Sequence, residues 1–495
     1  MTTYLNYIDG KFIPHNGEFI EVLNPATKEV ISRVASASLE DTKRAIEAAK
    51  KAQKVWEAKP AIERAKKAQK VWEAKPAIER ANHLKEIASL IRKNANFLTE
   101  VLMQEQGKTR VLASIEINFT ADYMDYTAEW ARRYEGEIIQ SDRANEHIYL
   151  YKSAIGVIGG ILPWNFPFFL IARKMTPALL TGNTIVIKPS SETPNNAFEF
   201  AKLVSQSSLP KGVFSLVAGK GSVVGHELSS NENIGMVSLT GSVEAGIRVM
   251  EAAAKNIIKV SLELGGKAPA IVCKDADIDL AVEAIKASRI CNNGQVCNCA
   301  ERAYVHTSVY DEFVDKFVKA MSKVSVGNTL KGDFDMGPLV NQTGVDNALA
   351  MLQRATDKGA VVECGGKITD TSGYYFPASV LTNVKHEDEI MQKEIFAPIL
   401  PIAKFDTLDE AIDMANDCEY GLTSSIYTQN LDIAMRASRE IKFGETYINR
   451  ENFEAMQGFH AGFRKSGIGG ADGKHGLEEY LATHVVYLQY NTNKQ

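Results

Sequence analysis

The sequence predicts an α/β protein with more than one domain, and three observations support this fold class. With 495 residues, the chain is longer than a single hydrophobic core usually serves. From residue 154 onward, short segments rich in Val and Ile alternate with segments of helical composition, which is the pattern of a parallel sheet covered by helices. Hydrophobic residues make up 45% of the chain and charged residues 24%, as in ordinary globular proteins.

The predicted elements follow each other in a regular order. Strands are predicted at residues 154–158, 184–188, 212–217 and 236–239. Helices are predicted at residues 173–180, 195–205 and 222–228, and a fourth helix is expected to end at Ala253. The pattern starts again after Gly266, with a strand at 270–272 and a helix at 277–289, so we expect a second α/β domain there.

These elements divide the chain into three parts. The segments 147–152 and 484–490 alternate apolar and polar residues, which is typical of exposed strands that can pair with another subunit. The predicted parts are a first α/β domain at 1–130 and 154–264, a second at 265–463, and a small β unit at 131–153 and 479–495.

One stretch of the chain is repeated without change. Residues 50–65 recur as residues 66–81, and no third copy follows. Repeat proteins need longer units and at least three copies, so we interpret the second copy as a tandem duplication or an artefact. Each copy has helix-forming residues followed by Lys-Pro, where helices tend to stop. The second copy is therefore predicted to add one helix–turn unit at the surface.

Composition excludes several classes of protein. The formal net charge of −5 provides no basic surface for nucleic acid. The chain starts without a basic and apolar leader, and its longest apolar stretch, residues 154–170, is interrupted by Gly, Pro and Asn, so neither a secretory signal nor a membrane span is expected. Six cysteines in so long a chain do not make a disulfide framework. We expect a cytoplasmic protein that binds neither membrane nor nucleic acid.

Three polar side chains lie in turns that are rich in Gly or Pro. Cys297 ends the segment Asn-Gly-Gln-Val-Cys, Glu263 stands shortly before Gly-Gly at the end of a predicted strand, and Asn165 lies in Pro-Trp-Asn-Phe-Pro. Such turns let the backbone approach a ligand closely. A thiol, a carboxylate and an amide are the minimum for nucleophilic chemistry at a carbonyl, as nucleophile, base and oxyanion donor.

The order and context of these motifs resemble the aldehyde dehydrogenase superfamily over residues 24–488. The resemblance implies a Rossmann-like cofactor domain, a second α/β catalytic domain and a small β oligomerisation domain, in a homotetramer or homodimer. It implies that Cys297 attacks the aldehyde carbon, that Asn165 and the backbone N–H of Cys297 hold the oxyanion, and that Glu263 activates water. Relatives that pass the acyl group to coenzyme A typically lack this glutamate, so the expected product is the free carboxylic acid.

The resemblance also implies a nicotinamide cofactor, NAD with NADP as an alternative. Residues 219–225 follow a predicted strand and open a helix, with one residue more than the dinucleotide fingerprint. Helix N–H groups after Thr240-Gly241-Ser242 could hold a pyrophosphate. The cofactor-binding residues implied by the family pattern are Trp164, Lys188, Ser191, Gly221, Gly225, Thr240, Gly241, Ser242, Leu264, Glu394 and Phe396. The family usually has Gly where Ala397 stands, and many NAD-preferring relatives have Glu where Ser191 stands.

Residues 447–477 closely resemble the branch of the family that oxidises lactaldehyde and glycolaldehyde. This resemblance implies that Glu454 and His460 contact a hydroxylated substrate, and Asn298, next to the nucleophile, is a further candidate. A small hydroxyaldehyde needs polar partners, and a site that hydrogen-bonds a hydroxyl discriminates well through it.

Other functions remain open from the sequence. Betaine aldehyde would call for an aromatic cage, but all four tryptophans precede the second domain. Succinate semialdehyde would call for an arginine, for which Arg450 is a candidate. A catalytically silent binding protein is the alternative from another class, and the intact trio of thiol, carboxylate and amide argues against it.

Two further cysteines flank the predicted nucleophile. Cys291 and Cys299 lack partner residues at zinc spacing, so no metal site is predicted. Cys299 is interpreted as a spare thiol near the reactive one, and a reversible Cys297–Cys299 link that protects against oxidation is the minor hypothesis.

Deleting residues 66–81 should leave catalytic activity intact and preserve or raise the melting temperature, because the second copy adds a unit for which the family core has no place. The measurements are NAD(P)H formation and thermal unfolding of the full chain and the deletion variant. A deletion variant that folds but has lost activity would show that the second copy is integral to the enzyme.

Overall fold

The computed structural model describes residues 1–57 and 75–491. The predicted helix–turn unit of the repeat falls largely on residues 58–74, which lie outside the described residues. Within the described parts of the chain, no helix is long and apolar enough to cross a membrane.

The strands, numbered in chain order, form two large and two small sheets. They are β1 Thr2–Tyr4, β2 Tyr7–Ile8, β3 Lys11–Phe12, β4 Phe19–Leu23, β5 Val30–Ala35, β6 Glu137–Gln140, β7 Glu146–Ala154, β8 Val157–Ile161, β9 Thr184–Lys188, β10 Phe214–Leu216, β11 Met236–Thr240, β12 Lys259–Glu263, β13 Ala268–Val272, β14 Ala300–His306, β15 Val361–Cys364, β16 Ser379–Thr382, β17 Ile399–Phe405, β18 Thr423–Tyr427, β19 Glu445–Ile448, β20 Gly467–Ile468 and β21 Leu481–Gln489.

Helices precede, connect and cover these strands. The α-helices are Leu39–Glu57, Ala77–Lys93, Ala95–Gln106, Arg110–Glu129, Phe169–Leu180, Asn195–Gln206, His226–Ser230, Val243–Ala254, Ile278–Ile290, Tyr310–Met321, Gln342–Asp357, Glu389–Gln392, Leu408–Asn416, Leu431–Glu440 and Gly473–Glu478.

The first large sheet has the strand order β20-β12-β11-β8-β9-β10-β2-β3. Its strands β12, β11, β8, β9 and β10 run parallel, while β20 and β2 pair antiparallel at either side. The residues of the parallel strands are almost all buried because helices cover both faces of the sheet. The carboxyl ends of parallel strands meet at one edge, so the segments after β8, β11 and β12 open toward the same side.

The second large sheet has the order β15-β16-β17-β14-β13-β18-β19. All its pairings are parallel except that of β15 with β16. The two large sheets confirm the predicted α/β class. The small sheets have the orders β1-β5-β4 and β21-β7-β6. In the latter, β21 and β7 pair antiparallel within the chain, so the two segments predicted as exposed strands are each other's partners. The division into domains stays a prediction.

Some predicted boundaries were wrong. The strand predicted at 154–158 is the end of β7 and the start of β8, separated by Gly156, whose φ of 129° breaks the extended run. The helix predicted from Arg173 begins at Phe169, because the aromatic and apolar residues before Arg173 are also buried helical residues. The helix predicted at 222–228 starts as a π-helical turn, Gly221–Gly225, before the short helix His226–Ser230.

Candidate active site

A cavity of about 1030 Å³ lies at the carboxyl ends of β8, β11 and β12. Most of the predicted site residues line it, although they come from distant parts of the chain. The lining includes Trp164, Asn165, Thr240, Gly241, Ser242, Glu263, Leu264, Cys297, Asn298, Glu394, Phe396 and Glu454. Among the described residues, Lys188, Ser191, Gly221, Gly225 and His460 are not part of this lining.

The backbone before Cys297 is left-handed at three successive residues. Asn292, Asn293 and Gly294 have φ angles of 47°, 60° and 72°. Arg289 Nη2 donates to the Gly294 carbonyl at 2.7 Å, and this hydrogen bond stabilises the turn. The turn presents Cys297 half-buried at the cavity wall. Such sparsely populated backbone persists only where surrounding structure determines it, which is common at functional sites.

The glycines after Glu263 allow the first sheet to touch the nucleophile loop. A Cβ at Gly266 would lie 2.6 Å from the Cys297 carbonyl oxygen, so any larger residue would push the two segments apart. At the neighbouring Gly265, a Cβ would meet the carboxylate of Glu394. The Gly-Gly turn is therefore required by the close approach of backbone at Gly266 and of the Glu394 side chain at Gly265.

The side chain of Asn165 points toward the nucleophile loop. Its Nδ2 donates to the Gln295 carbonyl at 3.0 Å, and its Oδ1 accepts from the Phe166 N–H at 3.0 Å. An amide nitrogen carries two hydrogens, so one N–H of Asn165 is left for a ligand in the cavity. This geometry fits an oxyanion donor beside Cys297.

A buried ion pair holds the Asn165 loop. Lys108 Nζ lies 2.6 Å from Glu116 Oε2 and donates to the Asn165 carbonyl at 2.8 Å. The other oxygen of Glu116 accepts from the backbone N–H groups of Phe168 and Phe169. Sequence reasoning missed this pair, because nothing in the sequence indicates that Lys108, in a loop between two helices, and the helical residue Glu116 contact the Asn165 loop.

Glu263 ends β12 and is buried rather than facing solvent. Its Oε1 accepts from Lys174 Nζ at 3.3 Å, and Arg173 Nη1 lies 3.8 Å from its Oε2. Burial raises the pKa of Glu263, but the charges of Lys174 and Arg173 outweigh burial and bring it to about 2. Oε2 makes no hydrogen bond within the described part of the chain. It is therefore free to accept one from a ligand or water in the cavity.

Arg173, which lines the cavity, is surrounded by three carboxylates. It forms a short ion pair with Asp472, lies 3.4 Å from Glu454 and also faces Glu263. Sequence reasoning missed both Arg173 and Asp472. The sequence feature that could have revealed them is the Arg-Lys pair in the helix Phe169–Leu180. Every residue of this helix is buried, and buried charges require partners.

Asn298 and Glu454 contact each other at the cavity wall. Asn298 Nδ2 donates to the Glu454 carboxylate in a short hydrogen bond. Asn298 Oδ1 is buried and has no hydrogen-bond partner among the described residues. A buried carbonyl oxygen without a donor is costly, so this atom is suited to accept a hydroxyl from a ligand.

His460 is buried and is not part of the cavity lining. Its Nδ1 is 2.6 Å from Glu445 Oε1, and only 2% of the residue is exposed. The contact of His460 with a substrate stays a prediction. No pattern in the sequence indicated Glu445 as the partner of His460.

The opposite end of the cavity fits a dinucleotide. Ser242 caps the helix Val243–Ala254, with Oγ accepting from the Ala245 N–H at 3.2 Å, and the first turn of this helix faces the cavity. Free N–H groups at such a helix start suit a pyrophosphate. Thr240 Oγ1 is buried without a hydrogen-bond partner in the described residues, which leaves a polar atom for a ligand.

Glu394, Trp164 and Phe396 also line the cavity. Glu394 Oε1 accepts from the Gly266 N–H at 2.9 Å, and burial together with the charge of Glu301 raises the pKa of Glu394 to about 8. Trp164 and Phe396 pack edge to face at 5.5 Å. The left-handed residue here is Phe396, with φ 54°, and Ala397 is not among the positive-φ residues. Ala in place of the family's Gly therefore causes no backbone strain.

The remaining predicted cofactor residues form a separate group. A Cβ at Gly225 would lie 3.9 Å from Lys188 Cδ, and a Cβ at Gly221 would meet nothing within 4 Å. Burial lowers the pKa of Lys188 to about 8, and its Nζ donates to the Pro189 carbonyl at 3.1 Å. Ser191 is half-buried at the start of the same loop.

Comparison with known proteins assigns this arrangement to a family. The family model described as "Aldehyde dehydrogenase family" matches residues 12–66 and 57–486, as two overlapping stretches that meet within the repeat. The chain belongs to the aldehyde dehydrogenase family. It is therefore an oxidoreductase that converts aldehydes to acids, and the cysteine mechanism is general to the family.

Individual relatives cover almost the whole chain. The lactaldehyde dehydrogenase of Escherichia coli (strain K12) is 59% identical over 98% of this chain and 98% of its own length. A D-glyceraldehyde dehydrogenase (NADP(+)) of Thermoplasma acidophilum is 37% identical over 98% of this chain and 96% of its own length. A crystal structure of lactaldehyde dehydrogenase from E. coli superposes with a TM-score of 0.94 at 58% identity, covering 99% of this chain and all of that one.

Proposed function

We propose that the enzyme oxidises a small hydroxyaldehyde, lactaldehyde or glycolaldehyde, to the carboxylic acid with NAD or NADP. The observation that carries this proposal is one cavity wall that combines Cys297 and Asn165 with the Asn298–Glu454 pair. The names of relatives that act on lactaldehyde and glyceraldehyde support the same class of substrate.

In the first half of the proposed reaction, the thiolate of Cys297 adds to the aldehyde carbon. The free N–H of Asn165 and the backbone N–H of Cys297 stabilise the oxyanion that forms. Asn165 is held by bonds to Gln295 and, through Lys108, to the neighbouring helix, so the donor needs no reorganisation during the reaction. A nicotinamide held beside Glu394 and Trp164 would supply the acceptor for the hydride, so that Cys297 then carries a thioester.

In the second half, Glu263 activates the water that hydrolyses the thioester. Its free Oε2 is the acceptor available to that water. The ion pair with Lys174 keeps the carboxylate ionised in the resting enzyme. A product released by water is the free acid, so the enzyme is proposed to be non-acylating.

The cofactor is proposed to lie across the first sheet. Ser242 and the helix start behind it would hold the pyrophosphate, Glu394 the nicotinamide ribose, and Lys188 the adenine ribose. Thr240, Trp164, Gly241, Leu264 and Phe396 would border the nicotinamide half, and Ser191, Gly221 and Gly225 the adenosine half.

Electrostatics favour an uncharged substrate over succinate semialdehyde. Two arginines, Arg173 and Arg354, line the cavity in the described part of the chain. Arg173 is already surrounded by Asp472, Glu454 and Glu263, and Arg354 donates to both carboxylate oxygens of Glu389. Arg450 pairs with Glu451 at 2.9 Å and its side chain is 49% exposed. None of these three guanidinium groups is placed to receive a substrate carboxylate, whereas Asn298 Oδ1 needs a donor such as a hydroxyl.

An oligomer is proposed through the sheet β21-β7-β6. Several of its large apolar side chains are exposed in the single chain, among them Ile138, Tyr151, Val485 and Tyr487. Contiguous exposed apolar surface marks interaction sites. A homotetramer or homodimer that covers this surface is therefore part of the proposal.

Replacing Cys297 by Ala should reduce NAD(P)H formation to background while the cofactor still binds, because the nucleophile is lost but the helix start at Ser242 is not. The measurement uses lactaldehyde, glycolaldehyde, propanal, betaine aldehyde and succinate semialdehyde. Cys364→Ala, which removes a half-buried thiol on β15, is the matched control and should keep wild-type turnover. Turnover by the Cys297 variant, or preference for a charged aldehyde, would contradict the proposal.

Glu454→Ala should lower kcat/KM for lactaldehyde and glycolaldehyde more than for propanal, because only the first two carry a hydroxyl. Losing a hydrogen bond to a charged group costs about 1.5–3 kcal/mol, or roughly tenfold to a hundredfold in kcat/KM. Glu451→Gln, in the same loop but paired with Arg450, is the control. An equal loss for all three aldehydes would assign Glu454 a structural role only.

Ser191→Glu should reduce the use of NADP by about tenfold or more while NAD is retained. A carboxylate here would repel the 2′-phosphate by roughly 4 kcal/mol at 4 Å and an effective dielectric of about 20, less after screening. The wild-type enzyme is accordingly expected to tolerate NADP. The neighbouring Glu192 is exposed, and Glu192→Gln serves as the control. If wild type and Ser191→Glu discriminate equally against NADP, Ser191 does not set cofactor choice.

A further inference from the structure

A buried amide, Asn452, lies in the loop that follows β19 and precedes Glu454 by two residues. Both ends of this amide make hydrogen bonds to buried hydroxyl groups. Its Nδ2 donates to Thr423 Oγ1 at 3.4 Å, and its Oδ1 accepts from Ser288 Oγ at 3.4 Å. The three side chains, from the loop, from β18 and from the helix Ile278–Ile290, form the amide network.

The two hydroxyl groups of the amide network hold the chain just after the nucleophile. Thr423 Oγ1 donates to the Asn298 carbonyl at 2.7 Å, and Ser288 Oγ accepts from the Ala300 N–H at 2.9 Å. The segment from Asn298 to Ala300 is therefore fixed at two backbone points. Because both hydroxyl groups also bond to Asn452, a single amide connects the two points.

Each hydrogen bond of the network has a defined direction. The single hydroxyl hydrogen of Thr423 is given to the Asn298 carbonyl, so Thr423 Oγ1 can only accept from Asn452. Ser288 Oγ already accepts from the Ala300 N–H, and its own hydrogen is given to Asn452 Oδ1. The position therefore needs a donor and an acceptor on one short side chain, and neither an ionised carboxylate nor an apolar side chain provides both.

The network is connected to the cavity wall a second time through Glu454. Asn298 Nδ2 donates to the Glu454 carboxylate in a short hydrogen bond, and only Phe453 separates Glu454 from Asn452 along the chain. Asn298 is thus held both by its backbone carbonyl and by its side chain, and both contacts lead to the same loop. Asn298 Oδ1, which has no hydrogen-bond partner among the residues that the structure covers, takes its position from these contacts.

We propose that Asn452 is a positioning residue for substrate selection, because it fixes Asn298 Oδ1 and the Glu454 carboxylate where they meet the hydroxyl next to the aldehyde carbon. This inference deepens the proposed function and rests on it for the hydroxylated substrate. Among the described residues, Asn298 and Glu454 line the cavity and Asn452 does not. Asn452 therefore acts through these two residues.

The nucleophile is held by contacts outside the amide network. Arg289 Nη2 donates to the Gly294 carbonyl at 2.7 Å before Cys297, and Cys299 Sγ donates to the Val296 carbonyl at 3.0 Å across it. Neither of these bonds includes a member of the network. Loss of the network should therefore impair selection for the hydroxyl while attack on the aldehyde carbon continues.

The decisive variant is Thr423→Val, which removes the hydroxyl between Asn452 and the Asn298 carbonyl and keeps the shape of the side chain. The variant should lower kcat/KM for glycolaldehyde and lactaldehyde on the order of tenfold, and kcat/KM for propanal by no more than about twofold, because a buried acceptor loses its donor near the hydroxyl site. Thr423→Ser keeps the hydroxyl and should retain the wild-type preference. Asn452→Ala should reproduce the loss seen with Thr423→Val.

The matched control is Thr428→Val. Thr428 directly follows β18 and is similarly buried, but its hydroxyl donates to Asp275 at 2.9 Å instead of to the nucleophile segment. This variant should keep the wild-type preference among the aldehydes even if its melting temperature falls. Thermal unfolding of every variant separates a loss of stability from a loss of selection.

A second readout is the coupling between Asn452 and Glu454. Glu454→Ala already removes one of the groups that the network positions. Adding Asn452→Ala to that variant should therefore reduce kcat/KM for glycolaldehyde by a smaller factor than Asn452→Ala does in the wild-type enzyme. Two losses that simply multiply would show that the residues act independently and would overturn the proposal.

A Thr423→Val enzyme that keeps the wild-type preference, or that loses glycolaldehyde and propanal turnover equally, would also overturn it. If Thr423→Val does not fold, Ser288→Ala carries the same test, because it removes the other hydroxyl that bonds to Asn452, and an unchanged preference there counts equally against the inference. A wild-type enzyme that does not prefer glycolaldehyde to propanal would contradict the proposed function and this inference together. Failure of the inference alone is seen only in the variants, so the two failures are distinguishable.

Discussion

The active site depends on one buried carboxylate, Glu301. Its oxygens lie 2.8 Å from Arg289 Nη1 and 3.0 Å from Lys267 Nζ, and they also accept the backbone N–H groups of Ile395 and Phe396. Arg289 holds the left-handed turn before the nucleophile, Lys267 follows the Gly-Gly turn, and Phe396 borders the cofactor end. A single side chain thus joins three loops, and removing one partner of a buried pair costs about 3–5 kcal/mol.

A second network of charges, centred on Arg173 and Lys174, sets the electrostatics around the proposed nucleophile. Arg173 and Lys174 project from one buried helix toward Glu263 and Asp472, so the carboxylates around the nucleophile are largely neutralised. Glu263 is kept ionised by two cations, whereas the buried His460 imidazole is paired with Glu445. The surroundings of each group therefore favour its charged form.

The sequence predicted the fold class and singled out the residues that are now proposed to react, but it did not indicate the groups that support them. Val- and Ile-rich strands such as β9 signal a parallel sheet locally, and Cys297 stood out through its turn. The predicted limits of one strand were wrong at Gly156, where the backbone changes direction. Arg173 and Asp472 were missed because they meet across 299 positions of chain, and long-range packing leaves no local pattern. His460 was a candidate from the sequence, but its pairing with Glu445 became visible only in the folded chain.

The cavity shape explains how a small hydroxyaldehyde can be oriented. Phe119, Phe169 and Phe453 provide apolar wall, while Asn298 offers an unpaired carbonyl oxygen beside the nucleophile. An aldehyde with a hydroxyl on the adjacent carbon can satisfy that oxygen and still place its carbonyl against Asn165. An aldehyde without the hydroxyl leaves a buried acceptor unpaired, which is costly in an apolar enclosure. A preference for the proposed hydroxylated substrate would therefore arise from the cost of excluding water from Asn298, more than from an added attraction.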